Sequence, residues 1–350
     1  MEFSTLPLSL LFAAFTAAAA VIWVAGIHLS KSVDALSGRF HLGQALGGVI
    51  LLAVVTNLPE IAITVSAALK GNLELAVGNI LGGIALQTVV LVVLDVFGLG
   101  KKGSLTSLAS SMPLILESIV LVMILSLVVI GHQLPASLSL FHISPAAYAI
   151  LGVWIVSLLL VDKAGKGLPW KKQDPPETVP EKKTGSSRKK APQKSTARII
   201  GIFILCAFLT LAAGVVLEGS GDALAEHFNM NGLIFGATVL ALATSLPEIS
   251  TGMAAIRLGD YKLAMSDILG GNAFLPILFL LASAIAGKPA LPEAKGADIY
   301  LTGIATVLTL IYCTGLIFRS RKQYLGMGLD SLIVLSVYLL SIAGLFFMPT

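Results

Sequence analysis

The stretch TNLPE, from Thr56 to Glu60, places a helix-breaking proline and an ionisable glutamate inside an otherwise apolar run. The stretch TSLPE, from Thr244 to Glu248, repeats this pattern in similar surroundings in the second half of the chain. Proline inside a helix removes a hydrogen bond and clashes with the preceding turn. A carboxyl group at the centre of a bilayer costs about 2.5–3.5 kcal/mol even on lenient scales. Two matched copies of so costly a segment predict a functional site.

The two stretches belong to a longer internal repeat. GGVILLAVVTNLPEIAITVSAALKGNLELAVGNILGGIAL begins at Gly47, and FGATVLALATSLPEISTGMAAIRLGDYKLAMSDILGGNAF begins at Phe235. One constant offset aligns them without gaps, and the matched pairs include Gly48 with Gly236, Thr56 with Thr244, Pro59 with Pro247, Glu60 with Glu248, Gly71 with Gly259, and Gly82-Gly83 with Gly270-Gly271. So many ungapped matches indicate duplication.

Composition places the chain in a membrane. Of its 350 residues, 56% are hydrophobic and only 12% are charged, with a mean hydropathy of +0.92. A soluble protein carries roughly 25% charged residues, so a large soluble core is excluded. The net charge of +4 arises almost entirely from the segment 163–198, which argues against a nucleic-acid partner and leaves the lipid bilayer and inorganic cations. The two cysteines, Cys206 and Cys313, cannot make a disulfide framework.

Windows of about 20 apolar residues predict an all-α polytopic membrane protein with ten transmembrane helices: 6–28, 43–69, 73–97, 112–131, 144–162, 198–217, 232–257, 262–286, 299–318 and 328–348. The basic segment 163–197 is rich in Lys, Pro and Ser and lacks periodicity, which is typical of a disordered linker. It divides the chain into an N-terminal half, 1–162, with its repeat at about 43–97, and a C-terminal half, 198–350, with its repeat at about 232–286.

The basic residues predict the orientation. With the N-terminus outside, every Lys and Arg except Lys70, Lys288 and Lys295 lies on the inside, which follows the positive-inside rule. The linker is then cytoplasmic, and the protein lies in a plasma or inner membrane. Five spans separate the two copies of the repeat, so the second copy crosses in the opposite direction. Inverted repeats of this kind meet at a substrate site near the bilayer midplane. The oligomeric state stays open, a monomer included.

Each copy gathers oxygen ligands within about one helical turn. Thr56 and Glu60 are at positions i and i+4 and share a helix face, as do Thr244 and Glu248. Each proline also frees the carbonyl one turn before it, and inside a membrane such a carbonyl needs protein, water or an ion. Hydroxyl, carboxylate and carbonyl oxygens suit Na⁺ or Ca²⁺. The two copies together therefore predict one cation site.

In each copy, the span that follows the Pro-Glu segment supplies the other side of the predicted cation site. Residues at i, i+4 and i+8 share one face: Asn79, Gly83 and Gln87 in the first copy, and Asp267, Gly271 and Leu275 in the second. The glycines permit close helix approach. Asp267 is a candidate ligand or ligand-orienting residue, with Asn79 a weaker one, and Asn272 lies off this face as a candidate for hydrogen bonding across helices.

Two further acids lie near span ends. Glu117 is interpreted as an acid that snorkels towards the membrane surface or packs between helices. Asp95 lies close to Lys101 and Lys102, which predicts an interfacial role.

At these residues the sequence resembles the cation/calcium exchanger superfamily, the sodium/calcium exchangers in particular. The repeat motif of that family reads G-T-S-L-P-E, followed by G-N-x-x-G-S-N-I-F-N/D. The resemblance implies ten helices, two inverted repeats, a cytoplasmic loop between the halves, and alternating-access exchange of Ca²⁺ against Na⁺ without a cofactor. By matching position it implies these ligands: the carbonyls of Ala53 and Ala241, and the side chains of Thr56, Glu60, Thr244, Ser245 and Glu248.

The chain departs from the motif at positions that bear on the ligand set: Asn57 replaces Ser, Gly83 and Gly271 replace the Ser of G-S-N, Gln87 and Leu275 occupy the final Asn/Asp position, and Asp267 stands where the family usually has Asn. Asn57 and Gln87 stay in the candidate ligand set. Asp267, two turns before Leu275, is hypothesised to replace the acid missing there and to tune the coupling ion.

The sequence therefore predicts a secondary active cation antiporter that exchanges Ca²⁺ for Na⁺ or H⁺. Proton coupling is an alternative because neutral oxygen ligands for Na⁺ are fewer, while buried glutamates can take up protons. A second alternative is an exchanger of another cation or substrate on the same fold. An intramembrane enzyme is the alternative of another class, and it is disfavoured because the sequence offers no Ser/His pair, histidine cluster or nucleophile elbow.

Overall fold

The computed structural model describes residues 3–40, 49–100, 102–166, 195–228 and 235–345. Most of the predicted linker and the start of the second predicted span lie outside these ranges. Within them the chain is helical, and one short antiparallel hairpin is the only strand pair: β1 (Gln323–Tyr324) with β2 (Met327–Gly328). Helices satisfy their own backbone hydrogen bonds, which a chain in hydrocarbon requires.

The helices of the two halves follow one another in similar order. The first half contains α1 (Leu8–Phe40), α2 (Val49–Thr56), α3 (Leu58–Leu69), α4 (Leu73–Gly98), α5 (Leu105–Ala109), α6 (Met112–His132) and α7 (Pro145–Lys166). The second half contains α8 (Thr196–His227), α9 (Ala241–Thr244), α10 (Leu246–Arg257), α11 (Tyr261–Phe274), α12 (Leu278–Ala286), α13 (Gly296–Phe318) and α14 (Leu329–Leu345). A π-helical turn, Gly236–Leu240, precedes α9, and a 3-10 turn, Leu275–Ile277, joins α11 to α12.

Seven stretches in the described residues are long and apolar enough to cross a membrane: Leu8–Val33, Leu73–Gly98, Met112–His132, Pro145–Gly165, Thr196–His227, Tyr261–Ala286 and Gly296–Phe318. A bent pair, Thr238–Thr244 with Leu246–Arg257, gives an eighth, with a bend of 48°. The apolar helices α3 and α14 are shorter. The polytopic all-α architecture is thus confirmed, and helix length in these residues supports seven or eight of the ten expected spans.

The internal repeat is also a repeat of helix boundaries. The offset that relates Thr56 to Thr244 also relates both ends of α3 to those of α10, and both ends of Leu73–Gly98 to those of Tyr261–Ala286. The same local chemistry ends and starts these helices. Gly71 and Gly259 both have positive φ, at 74° and 81°, a conformation that glycine adopts without steric cost. Asn72 and Asp260 then cap α4 and α11, each by accepting the backbone N–H at the third position of its helix.

The core of the molecule lies around α4 and the α11–α12 span. Most residues of α4 are buried, and the main apolar cluster joins them to residues of α6, α11 and α13. In contrast, α7 and α8 expose large apolar side chains such as Leu159, Leu160, Ile204 and Phe208. Exposed apolar surface of this extent on a membrane protein is suited to lipid contact. The two central spans therefore carry the candidate site away from lipid.

Asp95 is a buried hydrogen-bond acceptor near the end of α4. Its side chain is fully buried, and its carboxylate accepts hydrogen bonds from the backbone N–H of Leu105 (2.8 Å), the backbone N–H of Gly328 (2.7 Å) and Oγ of Ser331 (2.6 Å). It thus joins the end of α4 to the start of α5 and of α14. The sequence pointed to Lys101 and Lys102 as neighbours and did not reveal these donors, because two of them come from the other half of the chain.

An ion pair between a buried glutamate and a half-exposed lysine joins α8 to the end of α3. Glu218 is 1% exposed, and Nζ of Lys70 lies 2.8 and 2.9 Å from its two carboxyl oxygens. Oγ of Ser66 donates to the same carboxylate at 3.2 Å. This acid therefore has a countercharge and a hydroxyl donor.

Candidate cation site

The two Pro-Glu segments break their helices as the prolines predict. α2 ends at Thr56 and α3 begins at Leu58, and the linking residue Asn57 has φ −85° and ψ 15°. The second copy is alike, with Ser245 at φ −81° and ψ 5° between α9 and α10. Each proline occupies the second position of the new helix, where its missing N–H removes no intrahelical bond.

At each break, two side chains hydrogen-bond to one backbone carbonyl of the preceding helix. The carbonyl of Ala53 accepts from Nδ2 of Asn57 at 2.6 Å, and Oγ1 of Thr56 lies 3.4 Å away. The carbonyl of Ala241 accepts from Oγ1 of Thr244 at 3.0 Å and from Oγ of Ser245 at 2.8 Å. Both carbonyls and all four side chains were predicted as ligands. The structure brings each set together, with the side chains turned onto the carbonyls.

Glu60 lies at the centre of the first copy. It is fully buried, and its Oε1 accepts from Nε2 of Gln87 at 3.0 Å. The same Nε2 lies 3.3 Å from Oδ1 of Asn57, so Gln87 contacts both predicted ligands. Nδ2 of Asn79 instead reaches the backbone carbonyl of Glu60, at 3.4 Å. The structure therefore brings Gln87 into the site and places Asn79 at its backbone edge.

Glu248 faces Glu60 across the two copies. It is 1% exposed and interacts electrostatically with the carboxyls of Glu60 and Asp267. Each threonine hydroxyl lies beside the glutamate of the other copy: Thr244 is beside Glu60, and Thr56 is beside Glu248. Both threonine hydroxyls donate to backbone carbonyls of their own copy. Each copy thus places a hydroxyl oxygen next to the carboxylate of the other.

Three carboxyl oxygens in this site have no hydrogen-bond donor among the described residues. They are Oε2 of Glu60 and both Oε atoms of Glu248, and all three are buried. A buried polar atom without a partner is costly, and an ionised pair of glutamates at this depth adds mutual repulsion. The donor set around them consists of hard oxygens, which suits an alkali or alkaline-earth cation.

Asp267 lies next to the glutamate pair, and its neighbours are Thr56 and Thr251. It is 1% exposed, its Oδ1 lies 3.4 Å from Oγ1 of Thr56, and its Oδ2 accepts from Oγ1 of Thr251, which also contacts the backbone carbonyl of Glu248. Among the described residues, no three His, Cys, Asp or Glu side chains are grouped as a metal site. A cation between the glutamates would therefore need hydroxyl, amide and carbonyl oxygens.

One polar contact of the site was not predicted from the sequence, and two contacts outside it bear on predictions. Thr251 was not predicted, although it stands at i+3 from Glu248 and so lies on the same helix face. Glu117 is buried and accepts from Oγ of Ser266 at 2.9 Å, which confirms helix packing and not snorkelling. Asn272 hydrogen-bonds across helices to Oγ1 of Thr88 at 3.1 Å, as predicted.

Comparison with known proteins identifies the family. The model of the family described as "Sodium/calcium exchanger protein" matches residues 10–161 and 198–347. The two matched ranges cover most of the chain and leave out the basic linker. The chain belongs to the sodium/calcium exchanger protein family. This membership confirms the resemblance and makes the protein a transporter and not an intramembrane enzyme.

Two relatives of this exchanger-family protein align with most of its length. It is 26% identical over 292 residues to a protein of Alkalimonas amylolytica that is named as an antiporter, CaxA, with 83% of this chain and 85% of that one covered. It is 23% identical over 303 residues to the inner membrane protein YrbG of Escherichia coli (strain K12), with 84% of each covered.

Two solved exchangers share the fold. The sodium-calcium exchanger NCX_Mj superimposes with a TM-score of 0.63 at 16% identity, covering 96% of this chain and 98% of the other. The H⁺/Ca²⁺ exchanger CAX superimposes with a TM-score of 0.68 at 14% identity, covering 97% and 82%. At such identities the likeness establishes the fold alone.

The paired glycines offer a matched test of this site in the exchanger. A Cβ on Gly271 would lie 2.8 Å from Nδ2 of Asn57, whereas a Cβ on Gly83 would meet only Cδ1 of Leu275, at 3.9 Å. Gly271→Ala is expected to turn the Asn57 amide away from Ala53, lowering cation exchange about tenfold while the loss of one hydrogen bond costs only about 0.5–1.5 kcal/mol of stability.

Gly83→Ala is the control, with exchange retained and stability raised by about 0.5–1 kcal/mol, because alanine suits a helix interior better than glycine. Initial flux rates in proteoliposomes and thermal unfolding of the purified variants check both. Equal exchange rates in the two variants would contradict the placement of Asn57 in the site.

Proposed function

We propose that this protein is a secondary active antiporter that exchanges Ca²⁺ for Na⁺ or H⁺ by alternating access, with the cation held between Glu60 and Glu248. One observation carries the proposal: both side chains are buried, and three of their four carboxyl oxygens lack a donor among the described residues. No described Lys or Arg offsets their charge. An ionised pair in this setting requires a cation beside it.

The ligand set we propose extends from this pair to neighbouring oxygens. Ca²⁺ takes about six to eight oxygen ligands, more than two carboxylates supply. The proposed additional ligands are the carbonyls of Ala53 and Ala241 and the side-chain oxygens of Thr56, Thr244, Ser245, Asn57 and Gln87. Each contacts the glutamates or the helix breaks beside them. Binding then requires the hydroxyls and the Asn57 amide to turn from the carbonyls towards the cation.

The coupling ion is the finer part of the proposal. Relatives on this fold are named both as a sodium-calcium exchanger and as an H⁺/Ca²⁺ exchanger, so the fold is compatible with either. We propose that Asp267 tunes this choice. It contacts Thr56 on α2 and Thr251 on α10, and it interacts with Glu248. A third acid lets the site carry more cationic charge or take up a proton when the cation leaves.

The proposed topology is ten crossings in two inverted halves of five, 1–162 and 198–350. To the seven long spans and the bent pair it adds the 49–69 pair and α14. The constant offset between helix boundaries supports equivalent halves, and an odd number of crossings between them makes the copies inverted. The distribution of Lys and Arg favours an N-terminus outside and a cytoplasmic linker 163–197 in a plasma or inner membrane.

Flux measurements in proteoliposomes test this function. Purified protein is reconstituted with an entrapped Ca²⁺ indicator, and Na⁺ and H⁺ gradients are imposed separately. We expect Ca²⁺ movement driven by at least one of the two gradients. Failure of both gradients to drive Ca²⁺, with another cation transported instead, would favour the rival of a different substrate on the same fold.

An Asp267→Asn arm of the same experiment tests the proposed tuning. It should shift the Na⁺ or pH dependence of flux with folding intact. Asp260→Asn is its control, since Asp260 is exposed and asparagine caps a helix equally well. An unchanged ion dependence in Asp267→Asn would show that Asp267 only supports packing.

A further inference from the structure

Thr64 carries a buried hydroxyl that the site described above does not use. It lies on α3 one turn after Glu60, is fully buried, and its Oγ1 has no hydrogen-bond partner among the described residues. Other buried threonines, such as Thr88 and Thr309, donate to the backbone carbonyl four residues back, at 2.9 and 2.7 Å. For Thr64 that carbonyl belongs to Glu60, and Nδ2 of Asn79 contacts it at 3.4 Å. A buried hydroxyl without a partner is costly unless a ligand or water satisfies it.

Helix packing places Thr64 on the same side of α3 as the glutamate. Residues four apart share a helix face, so Thr64 lies beside Glu60. Ala62 and Ser66, each two residues from Thr64, both face α8. Two residues correspond to about 200° around a helix, so Thr64 faces away from α8. It therefore lies on the side of α3 that packs against α4 and α12.

The second copy of the repeat has no oxygen at the equivalent position. The constant offset between the copies pairs Thr64 with Gly252. A Cβ on Gly252 would lie 2.5 Å from Cδ1 of Leu94, so an apolar side chain of α4 fills that place. In the first copy the counterpart of Leu94 is Ala282 on α12, which has no side-chain atom beyond Cβ. The first copy thus carries a hydroxyl where the second carries an apolar contact.

Thr64 and Glu60 each offer an oxygen that lacks a donor. Oε2 of Glu60 is also buried and unpartnered, and side chains four apart on a helix have Cβ atoms about 5–6 Å apart, a separation that one ion can bridge. Carboxylate and hydroxyl oxygens suit hard cations. The single carboxylate balances one positive charge, and the hydroxyl adds a ligand that, unlike a carboxylate, takes up no proton near neutral pH. This chemistry favours a monovalent metal ion over a proton or Ca²⁺.

We propose that Thr64 is a ligand of Na⁺, which binds between its Oγ1 and Oε2 of Glu60 with water completing the coordination. The proposal rests on the proposed cation antiport and names Na⁺ as a coupling ion for it. Because Ca²⁺ between Glu60 and Glu248 uses the same carboxylate, the two ions compete for Glu60. Bound Na⁺ lowers the affinity for Ca²⁺, and bound Ca²⁺ lowers the affinity for Na⁺ by the same factor.

Sodium binding by the full-length protein tests the proposal. The purified protein, in detergent and free of Ca²⁺, is titrated with NaCl in place of choline chloride at constant ionic strength, and its thermal unfolding is followed. Bound Na⁺ stabilises the folded state by mass action, so the wild type should unfold at a higher temperature as Na⁺ rises. Thr64→Val keeps the shape of the side chain and removes the oxygen, so it should need about tenfold more Na⁺ for the same rise. Thr64→Ser keeps the hydroxyl and should respond like the wild type.

Two controls separate ligation from packing. Thr309→Val removes an equally buried hydroxyl that already donates to the carbonyl of Ala305, and its Na⁺ response should equal that of the wild type. Calorimetry in Na⁺-free buffer measures Ca²⁺ binding, which Thr64→Val should leave within about twofold of the wild type. Added NaCl should displace Ca²⁺ from the wild type at about tenfold lower concentration than from Thr64→Val.

The Na⁺ and Ca²⁺ measurements separate this proposal from the proposed function. A wild type that NaCl stabilises but that binds no Ca²⁺ contradicts the antiport of Ca²⁺, and the Thr64→Val comparison still decides the role of Thr64. A wild type that responds to NaCl as to choline chloride overturns that role, and so does a Thr64→Val variant with the wild-type Na⁺ response. Equal losses of Na⁺ and Ca²⁺ affinity in Thr64→Val also overturn it, because Thr64 would then support packing. Should Thr64→Val fail to fold, Thr64→Ala against Thr64→Ser makes the same measurement.

Discussion

Replacing Glu60 or Glu248 by glutamine is expected to lower cation exchange by about 10²–10³-fold without destabilising the protein. Unit charges about 4 Å apart at an effective dielectric near 20 attract by about 4 kcal/mol, which corresponds to roughly 10³-fold in affinity. Neutralising a carboxylate without a countercharge removes a burial cost. We therefore expect the thermal stability of the cation-free variants to equal or exceed that of the wild type.

Glu218 provides the matched control for this result. It is as buried as Glu248, but Lys70 and Ser66 contact its carboxylate. Glu218→Gln leaves a charged partner uncompensated, and breaking a buried pair costs about 3–5 kcal/mol, reduced here because Lys70 is about half exposed. Exchange should persist in this variant. If Glu60→Gln and Glu218→Gln destabilise the protein equally, the glutamate pair has a structural role and no cation site.

Asp95→Ala is expected to be the most destabilising substitution in the described part of the chain outside the core. It leaves the N–H groups of Leu105 and Gly328 without their acceptor, and it removes one of the two partners of the Ser331 hydroxyl, which also contacts the Tyr312 hydroxyl. An unsatisfied buried group costs about 1–3 kcal/mol, so the two N–H groups together imply a loss of about 2–6 kcal/mol. Thermal unfolding of the purified protein measures the loss.

Asp260→Ala is the comparison for Asp95→Ala. Asp260 also caps a helix, but it is exposed and accepts a single backbone N–H, from Leu263 at 3.0 Å. Its loss should cost about 0.5–2 kcal/mol. An effect of Asp95→Ala no larger than this would mean that water replaces the carboxylate at all three donors.

The sequence predicted the features that depend on transfer energies and on spacing along one helix. The long apolar spans, the breaks beside Pro59 and Pro247, and the repeat follow from the cost of burying polar backbone and from the constant offset. The shared face of Thr56 and Glu60 follows from the helical period. These features are local, so they are visible without knowing which helices pack together.

Features that depend on distant partners were not predictable in the same way. The Gly328 and Ser331 donors of Asp95 and the Ser266 hydroxyl beside Glu117 come from segments far away in sequence. Thr251 holds Asp267 through a contact between α10 and α11. Each of these polar residues has several possible hydrogen-bond partners in a membrane protein, and tertiary packing decides which partner it contacts.

The most direct test of the central claim is the anomalous difference density of crystals soaked with Ca²⁺ or its heavier analogue Sr²⁺. A peak between the carboxyl groups of Glu60 and Glu248, within coordination distance of both and absent from Glu60→Gln crystals, is the predicted result. Density that avoids this pair and lies elsewhere in the protein, in crystals of a transport-competent protein, would contradict it.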